Sequence, residues 1–376
     1  MLSYWEKQSL LQYDYIIVGS GIVGLSTAIS LKEKLPAAHI LVLEANILPT
    51  GASTKNAGFA CIGSLTELLS DLKTMPPDEV ISLLQMRRHG LQLLRKRIGD
   101  EYMEYRENGS HELIGVQEEH ALSAIDKVNA MLRPLLGADA FTLVSERISA
   151  FGFDSKYVRA LISNNFEGEL HTGKMMRTLI DIAIARGVEI KTGCFVSRLE
   201  DLETGVRVVV PRANAEEIGF LARRVAICTN AFARQLLPDL DLQPGRGQVL
   251  LTNVIPDLPF RGVFHMDEGY YYFRELEGKV LFGGGRNLDF EKETTTSFDI
   301  NQEIQQQLEN RLRDIILPGR SFLITDRWTG IMAFGKTRQP LIQFYTRNIV
   351  SGVRMGGMGV AIGSAVGEQL SSFMTE

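Results

Sequence analysis

A glycine-rich turn near the start of the chain is the feature that most constrains its fold. Gly19-Ser-Gly21-Ile-Val-Gly24 matches G-x-G-x-x-G and directly follows the β-branched run Tyr13–Val18. From Ile22 to Leu35 the apolar spacing is helical, and His39–Leu43 is a second apolar run. A strand, a glycine turn, a helix and a strand within about 30 residues predict a right-handed βαβ unit.

In this position the turn predicts a dinucleotide-binding site. Gly19 allows the tight turn, Gly21 lets the backbone approach a pyrophosphate, and Gly24 lets the helix pack on the strand. The helix N-terminus offers free amides and a positive dipole end to the phosphates. Glu44, at the end of the second strand, would accept hydrogen bonds from ribose hydroxyls and repel a 2′-phosphate, which favours FAD or NAD over NADP. A glycine turn without a ligand is the alternative.

The composition limits the functional classes. With 376 residues and 45% hydrophobic content, the chain can bury one large core or two coupled cores. Its net charge of −5, from 40 basic and 45 acidic residues, disfavours a dedicated nucleic-acid binder. Three widely separated cysteines, Cys61, Cys194 and Cys228, show neither a disulfide framework nor metal-ligand spacing. We therefore predict no metal site and a reducing, cytoplasmic compartment.

Membrane insertion is not predicted. No stretch approaches the ~18–20 uninterrupted apolar residues that a membrane span needs. The opening segment carries charges and has no apolar run, unlike a signal peptide. The basic stretch Met86–Arg97 predicts a helix with a solvated face, and contact with an anionic membrane is the alternative.

Strand–turn–helix patterns appear at both ends of the chain. Asn348–Phe373 predicts a strand, a glycine-rich turn and a helix, whereas Gly247–Gly285 alternates strands with turns and predicts an antiparallel sheet. We therefore predict an α/β fold, α+β overall, with a Rossmann-like nucleotide-binding domain in discontinuous segments and an antiparallel-sheet substrate domain. The nucleotide-binding domain comprises 1–80, 155–243 and 325–376, and the substrate domain comprises 81–154 and 244–324.

Three further motifs distinguish FAD from NAD through a family resemblance. Gly51–Gly58 (GASTKNAG) resembles the G-x-S-x-R-N-x-G segment of the D-amino-acid-oxidase-like (DAO) flavoenzymes. Cys228–Ala233 resembles the strand end beside the adenine half of FAD, and Gly356–Gly359 resembles the C-terminal turn that contacts the flavin. The superfamily includes glycine oxidase, sarcosine oxidase and gamma-glutamylputrescine oxidoreductase. The opening Ser3–Glu6 and Arg246–Gln248 fit the amine-oxidising branch, so the resemblance covers nearly the whole chain.

The resemblance implies that FAD is the cofactor and that it binds non-covalently. Lys55 stands where relatives place an arginine or a flavin-linking histidine, so a covalent link is not expected. A helix N-terminus at the C-terminal turn would stabilise negative charge on reduced flavin. The FAD contacts that the motifs and the resemblance together imply are Gly19, Gly21, Ile22, Val23, Gly24, Glu44, Ala45, Ser53, Thr54, Lys55, Asn56, Ala57, Gly58, Val196, Thr229, Asn230, Ala231, Gly330, Met355, Gly356, Gly357, Met358 and Gly359.

The resemblance also implies oxidation of a small amine or amino acid by hydride transfer to flavin N5, giving an imine. Such chemistry needs a neutral amine held against the flavin and a dry, largely apolar pocket. In the strand Tyr270–Phe273, alternation places two aromatic side chains on each face. In relatives a tyrosine from this strand lines the substrate pocket, and we expect Tyr272 or a neighbour to do so here. Core packing is the alternative for each of these aromatic residues.

One departure from the family motifs affects the predicted substrate. Trp328–Ala333 resembles W-x-G-x-R-P, but Met332 replaces the arginine that grips the substrate carboxylate in glycine-oxidase-like proteins. A second such arginine would fall near Gly357 and is also missing. We therefore expect an amine whose acidic group, if present, lies away from the reacting carbon, as in gamma-glutamyl-polyamine-like compounds. The candidate catalytic residues are Tyr272, Arg274, Met332 and Arg338. Arginines that could replace the missing carboxylate contact are Arg274, Arg286, Arg338 and Arg354.

Other functions remain open at this level. An FAD-dependent dehydrogenase of a 2-hydroxy acid or glycerol phosphate would use the same fold. A non-catalytic flavin redox sensor or a tRNA-modification module is the alternative of another class. The electron acceptor is unknown, although an apolar residue near Leu281 stands where oxidase relatives often carry an oxygen-activating lysine, which favours a dehydrogenase.

Overall fold

The computed structural model describes residues 2–212 and 216–376. Its strands in chain order are β1 (Gln12–Val18), β2 (Ile40–Leu43), β3 (Phe59–Ala60), β4 (Ser110–Ile114), β5 (Phe141–Leu143), β6 (Ala160–Asn164), β7 (Gly168–Glu169), β8 (Val188–Lys191), β9 (Arg198–Leu202), β10 (Gly205–Pro211), β11 (Glu217–Ile227), β12 (Gln243–Thr252), β13 (Val263–Met266), β14 (Tyr271–Leu276), β15 (Lys279–Gly284), β16 (Ile324–Phe334), β17 (Leu341–Phe344) and β18 (Ile349–Val353).

The helices connect and cover these strands. They are α1 (Tyr4–Ser9), α2 (Ile22–Lys34), α3 (Ala52–Lys55), α4 (Leu65–Thr74), α5 (Pro77–Ile98), α6 (Ile125–Leu136), α7 (Arg147–Phe151), α8 (Thr172–Ala185), α9 (Phe290–Glu293), α10 (Gln302–Arg311) and α11 (Gly359–Thr375). Short 3₁₀ turns cover Val116–Ala124, Asn230–Gln235 and Arg286–Leu288, and a π-helical turn covers Leu312–Ile316. The predicted first βαβ unit is confirmed as β1–α2–β2, because each of its elements is specified by a local apolar pattern.

The first sheet has the Rossmann strand order. Its strands run β17-β18-β11-β1-β2-β8, and β18, β11, β1, β2 and β8 are parallel to one another. If these five strands are numbered by their order in the chain, their order across the sheet from β8 to β18 is 3-2-1-4-5. The order reverses between β1 and β11, and ligands of such sheets bind at that point, outside the carboxyl ends of the strands. The short strands β17, β10 and β9 add to this sheet in antiparallel fashion.

The second sheet is mostly antiparallel. Its order is β16-β12-β15-β14-β13-β4-β6-β5, and only β13 and β4 pair in parallel among its described strands. The sheet buries an aromatic cluster in which Phe264 and Phe273 stack with ring centroids 4.6 Å apart. The predicted antiparallel section from Gly247 to Gly285 is thus confirmed as β12 to β15.

Two strands of this second sheet come from segments that the sequence analysis assigned to the nucleotide-binding domain. β6 falls within 155–243 and β16, apart from its first residue Ile324, falls within 325–376, yet both pair with strands of the antiparallel sheet. The residues of a single strand do not say which sheet it joins, and only the long-range pairing decides. The two-domain division itself stays a prediction.

Helices α2 and α5 both pack closely against α11, and α2 and α11 also contact strands of the first sheet. A Cβ atom on Gly367 would lie 2.6 Å from the Ser26 Cβ, and one on Gly90 would lie 2.3 Å from the Ala361 carbonyl oxygen.

In α5, which contains the predicted basic stretch, Arg87 is buried and donates to the Ile62 carbonyl at 2.7 Å. Among the described residues, no helix is both long enough and apolar enough to cross a membrane.

Candidate active site

A cavity of about 770 Å³ lies where the two sheets meet. It begins at the carboxyl ends of β1 and β11, at Gly19 and Thr229, which is the expected ligand position of the first sheet. It continues to the face of the second sheet, where Tyr272 and Met332 form part of its wall. A volume of this size matches that of a large small-molecule site.

The N-terminal glycine turn has the geometry that a pyrophosphate needs. Gly19 has φ of +104°, a conformation that L side chains rarely adopt. A Cβ atom on Gly24 would lie 1.9 Å from the Gly19 carbonyl oxygen, so the helix can pack this closely only with glycine there. Helix α2 begins at Ile22 after Gly21, which provides no side-chain cap, and Gly21, Ile22 and Val23 line the cavity, so the N-terminus of the helix lies at its wall.

Glu44 is placed as a ribose-binding carboxylate would be. It lies directly after β2, lines the cavity and is only 8% exposed. Its Oε2 accepts hydrogen bonds from the Ser20 amide at 3.1 Å and the Ser20 hydroxyl at 2.7 Å. Its Oε1 accepts one from the Asn46 amide at 3.2 Å. Opposite, the buried Thr229 Oγ1 has no hydrogen-bond partner within the described chain, which suits a polar ligand at this end.

The second glycine segment folds into the short helix α3 and a turn that lies against the first motif. Ser53 Oγ accepts a hydrogen bond from the Ile22 amide at 3.0 Å. Asn56 closes the turn, because its Oδ1 accepts from the Gly58 amide at 2.9 Å and its side-chain amide donates to the Ser53 carbonyl at 2.8 Å. The indole of Trp328 donates to the Lys55 carbonyl at 3.0 Å and thus ties this segment to β16.

The C-terminal turn completes the wall of the cavity. Gly356 and Gly357 have φ of +55° and +85°, and helix α11 begins two residues later. The Arg354 guanidinium holds the approach to this turn, with bonds to the Gln339 carbonyl at 2.9 Å and to Asp241 Oδ2 at 2.7 Å. The turn therefore presents the N-terminus of a long helix to the cavity, as the resemblance implies for a flavin contact.

The pocket face of the second sheet combines aromatic rings with glycines. Tyr272 packs its ring against Phe59 at 5.5 Å between centroids, and burial raises the pKa of Tyr272 to about 12. Cβ atoms on Gly283 and Gly247 would lie 2.7 Å and 3.9 Å from the Tyr272 hydroxyl oxygen. The Met332 methyl carbon would lie 3.1 Å from the same Cβ on Gly247. Glycine at these positions therefore makes room for both side chains.

The predicted alternation in β14 is confirmed. Tyr271 and Phe273 are fully buried in the aromatic cluster, whereas Tyr270 and Tyr272 line the cavity. Successive side chains of a strand point to opposite faces, which is why a four-residue aromatic run divides equally.

Most of the predicted residues come together at the cavity. Predicted cofactor contacts that line it are Gly19, Gly21, Ile22, Val23, Glu44, Ala45, Ser53, Thr54, Lys55, Asn56, Ala57, Val196, Thr229, Asn230, Gly330, Met355, Gly356, Gly357, Met358 and Gly359. Tyr272, Met332 and Arg338 also line it. Three predicted contacts do not: Gly24 packs on Gly19, Gly58 turns against the Leu170 carbonyl, and Ala231 packs with Ile331 and Ala333.

Arg274 is also placed away from the cavity wall. It is 6% exposed and donates to the Leu170 and Gly58 carbonyls at 2.8 and 3.2 Å. Its Nη2 lies 3.2 Å from Glu169 Oε2. The geometry therefore corrects the expectation of a substrate contact: the carbonyls of the second glycine segment occupy the guanidinium, which holds that segment in place.

A buried histidine–carboxylate group at the far end of the cavity was not predicted. His265 Nε2 lies 3.7 Å from Glu167 Oε2, and Cys61, Glu167 and His265 offer atoms within 4.8 Å of one another. Glu167 Oε1 accepts from the Ile62 and Gly63 amides at 2.7 and 2.8 Å. Burial opposes ionisation of both groups, but their mutual attraction lowers the Glu167 pKa to about 2 and raises that of His265. Widely spaced residues give no local sequence signal for this group.

Comparison with known proteins agrees with this geometry. Residues 14–372 match the family model DAO, described as FAD dependent oxidoreductase. L-proline dehydrogenase from P. horikoshii is similar in structure, with a TM-score of 0.78 and 15% identity over 97% of this chain and 94% of that one. Glycine oxidase from Geobacillus kaustophilus has a TM-score of 0.77 and 16% identity over 97% of this chain and 95% of that one. Iminodiacetate oxidase from Chelativorans sp. BNC1 has a TM-score of 0.75 and 17% identity over 96% of this chain and 95% of that one. No curated protein matches by sequence.

Proposed function

Because the chain belongs to the DAO family of FAD-dependent oxidoreductases, we propose that it oxidises a small amine at its C–N bond. The observation that carries this proposal is the continuity of the cavity. One space joins the dinucleotide turn at Gly19 to an aromatic and apolar chamber formed by Phe59, Tyr272 and Met332. A chamber with few polar groups suits hydride transfer from a neutral amine, which needs orientation and exclusion of water more than acid–base groups.

The residues around the cavity fit FAD. The α2 N-terminus and the segment from Ser53 to Ala57 would hold the pyrophosphate, and Glu44 would bind the ribose. The turn at Gly356–Gly359 would face the pyrimidine edge of the flavin. Bound FAD supplies a two-electron acceptor at N5. Lys55 lies near the Phe298 ring, 5.2 Å from its centroid, and offers no histidine for a covalent link, which supports non-covalent binding.

The pocket walls support an amine without an adjacent carboxylate. Met332 and Gly357, which both line the cavity, stand where the resemblance puts the family's two carboxylate-binding arginines. Losing a guanidinium clamp removes charge-assisted hydrogen bonds worth about 1.5–3 kcal/mol each. Glycine, sarcosine and simple D-amino acids are therefore expected to be poor substrates. An alkyl amine with any acidic group farther along the chain suits the apolar Met332 side chain better.

Acidic groups beside the aromatic chamber suit a positively charged substrate. Glu67 and Glu268 place carboxylates on the cavity wall there, beside His265, whose ring contacts Phe59 at 5.4 Å between centroids. We expect these two carboxylates to draw in the substrate ammonium group and one of them to receive its proton before oxidation. The product imine would hydrolyse in solution.

Three measurements test the proposed function. Acid precipitation of the purified protein should release yellow FAD into the supernatant; flavin retained in the pellet would contradict non-covalent binding. Anaerobic mixing with a panel of amines, amino acids and 2-hydroxy acids should bleach the flavin with amines. Reduction only by a hydroxy acid or glycerol phosphate would favour the dehydrogenase alternative, and no reduction by any compound would favour a sensor. Reoxidation under air then identifies whether oxygen is the acceptor.

A further inference from the structure

Four arginines were candidates to replace the missing carboxylate contact, and the structure separates them. Arg274 is held by backbone carbonyls and Glu169 and does not line the cavity. Arg338 lines the cavity with its Nε 2.8 Å from Asp71 Oδ1. Arg354 donates to Asp241 Oδ2 at 2.7 Å. Each of these three guanidinium groups already has a carboxylate partner.

Arg286 differs from these three. It follows β15, lines the cavity and is partly buried, yet none of the described carboxylates lies within ion-pair distance of it. The neighbouring acid Glu293 is occupied by Arg246, whose Nε and Nη2 donate to its two oxygens at 2.8 and 2.7 Å. Burial lowers the pKa of Arg286, which marks the energetic penalty of an unpaired cation in this position.

Aromatic rings hold the Arg286 guanidinium. Its central carbon lies 3.8 Å from the centroid of Phe334 and 4.9 Å from that of Phe290. Stacking uses the faces of the guanidinium and leaves its edge donors free, and those donors match a carboxylate in bidentate geometry. A cation fixed by rings and lacking an acidic partner is prepared for an anionic ligand.

The position of Arg286 specifies where that anion lies. Phe334 follows Met332 by two residues on the same face of β16, so the two side chains are about 7 Å apart along the strand. An anion at Arg286 would thus sit about 7 Å, several bonds, from one held at position 332. We propose that Arg286 binds the distal carboxylate of an elongated amino acid whose amine is oxidised near Tyr272 and Met332. This inference rests on the proposed function for the reacting end of the substrate.

The test compares two amines that differ only in a terminal carboxylate, n-pentylamine and 5-aminopentanoate. In the wild-type holoenzyme, anaerobic flavin reduction should reach half its maximal rate at a lower concentration of 5-aminopentanoate. Arg286→Met should raise that concentration about 10- to 150-fold, the effect of one lost charged hydrogen bond, and leave n-pentylamine unaffected. Arg286→Lys should recover part of the loss. Arg347→Met, at an exposed site away from the cavity, is the matched control.

A binding experiment separates this inference from the proposed function. Pentanoate, which carries no amine, should perturb the visible spectrum of the oxidised wild-type flavoprotein and should do so more weakly in Arg286→Met and Arg286→Lys at equal flavin content. If no amine reduces the flavin but this difference holds, the proposed reaction fails and the anion site stands. Equal pentanoate binding in all variants, or equal loss with both amines, would overturn the role of Arg286.

Discussion

The hydroxyl of Ser53 accepts a hydrogen bond from the backbone amide of Ile22 at 3.0 Å, although the two residues are 31 positions apart. This bond joins the two glycine segments that form the pyrophosphate end of the cavity. Ile22 is the first residue of α2, and its N-cap Gly21 has no side chain to satisfy the amide. A residue from another segment therefore caps the helix at the place where FAD phosphates are expected.

Replacing Ser53 with alanine should weaken FAD binding. The substitution leaves the Ile22 amide without its partner and loosens the contact between the two segments. A lost cap of this kind costs about 1 kcal/mol, so the dissociation constant of FAD should rise about fivefold. Quenching of FAD fluorescence by the apoprotein measures this dissociation constant. Ser155→Ala, at an exposed turn, is the control. Unchanged affinity would show that the bond does not support the cofactor site.

Two glycines of these motifs should respond oppositely to alanine. A Cβ atom on Gly24 would lie 1.9 Å from the Gly19 carbonyl oxygen, whereas one on Gly51 would have no heavy atom within 4 Å, and φ of Gly51 is −80°. Gly24→Ala should force α2 away from β1, lower the melting temperature by several degrees and abolish FAD retention. Gly51→Ala should retain both. The melting temperature and the flavin content of each purified variant test this difference. Equal values for the two variants would contradict the packing argument.

Local patterns made the nucleotide half of the fold predictable. β1, α2 and β2 lie within two residues of the runs from which they were predicted, since each apolar period is complete within its own segment. The ends of a short strand such as β9, which begins at Arg198, depend instead on its pairing with β10. Sheet membership of β6 and β16 is likewise a long-range property that no single segment encodes.

The candidate site was predictable only where a motif is contiguous. The glycine turns, Glu44 and Tyr272 belong to short patterns and reach the cavity as expected. The group of Cys61, Glu167 and His265 is assembled from three distant segments, and each residue alone is an ordinary buried side chain. The choice of Arg286 over Arg274 also needed structure, since only the partners of each guanidinium distinguish them.

Glu112 should make the stability of the protein depend on pH. This buried carboxyl on β4 accepts hydrogen bonds from the Leu65 amide at 2.9 Å and the Thr66 amide at 3.3 Å, at the start of α4. Burial raises its pKa from 4.5 to about 7, although Thr66 and Ser64 oppose the shift. Between those pH values the folded protein retains a proton that the unfolded chain has released. The free energy of unfolding therefore falls as pH rises through this window.

Glu112→Gln should remove this part of the pH dependence. Relative to wild type, the variant should gain stability on the order of 3 kcal/mol between pH 4.5 and pH 8, from a shift of about 2.5 pKa units. Denaturant unfolding at the two pH values measures it. His265, whose pKa is also raised, stabilises the folded state less as pH rises. Because it is present in both proteins, its effect cancels in the comparison. Glu203→Gln, in an exposed turn, should behave as wild type; an equal slope in Glu112→Gln would refute the assignment.

Met332→Arg tests whether this position selects against α-amino acids. Met332 lies beside the C-terminal turn, where its sulfur would be 3.7 Å from a Cβ atom on Gly357. A guanidinium here would face a carboxylate attached to the reacting carbon and would add a charge about 7 Å along β16 from Phe334 and its partner Arg286. We expect reduction of the flavin by glycine and sarcosine to become about tenfold or more efficient. Reduction by 5-aminopentanoate should weaken, because its carboxylate would be drawn to the nearer arginine.

Met332→Leu is the matched control for this substitution, since it conserves volume and apolar character. It should leave flavin reduction by glycine and by 5-aminopentanoate unchanged. Flavin content and melting temperature must first show that both variants hold FAD. The efficiency of glycine reduction, divided by that of 5-aminopentanoate, then isolates the effect of the new charge from any general loss of activity. A ratio that rises in Met332→Arg alone supports the position of the reacting carbon inferred from Tyr272 and Met332. A ratio unchanged from wild type would place that carbon elsewhere in the cavity, because an arginine beside it cannot leave an α-carboxylate unaffected.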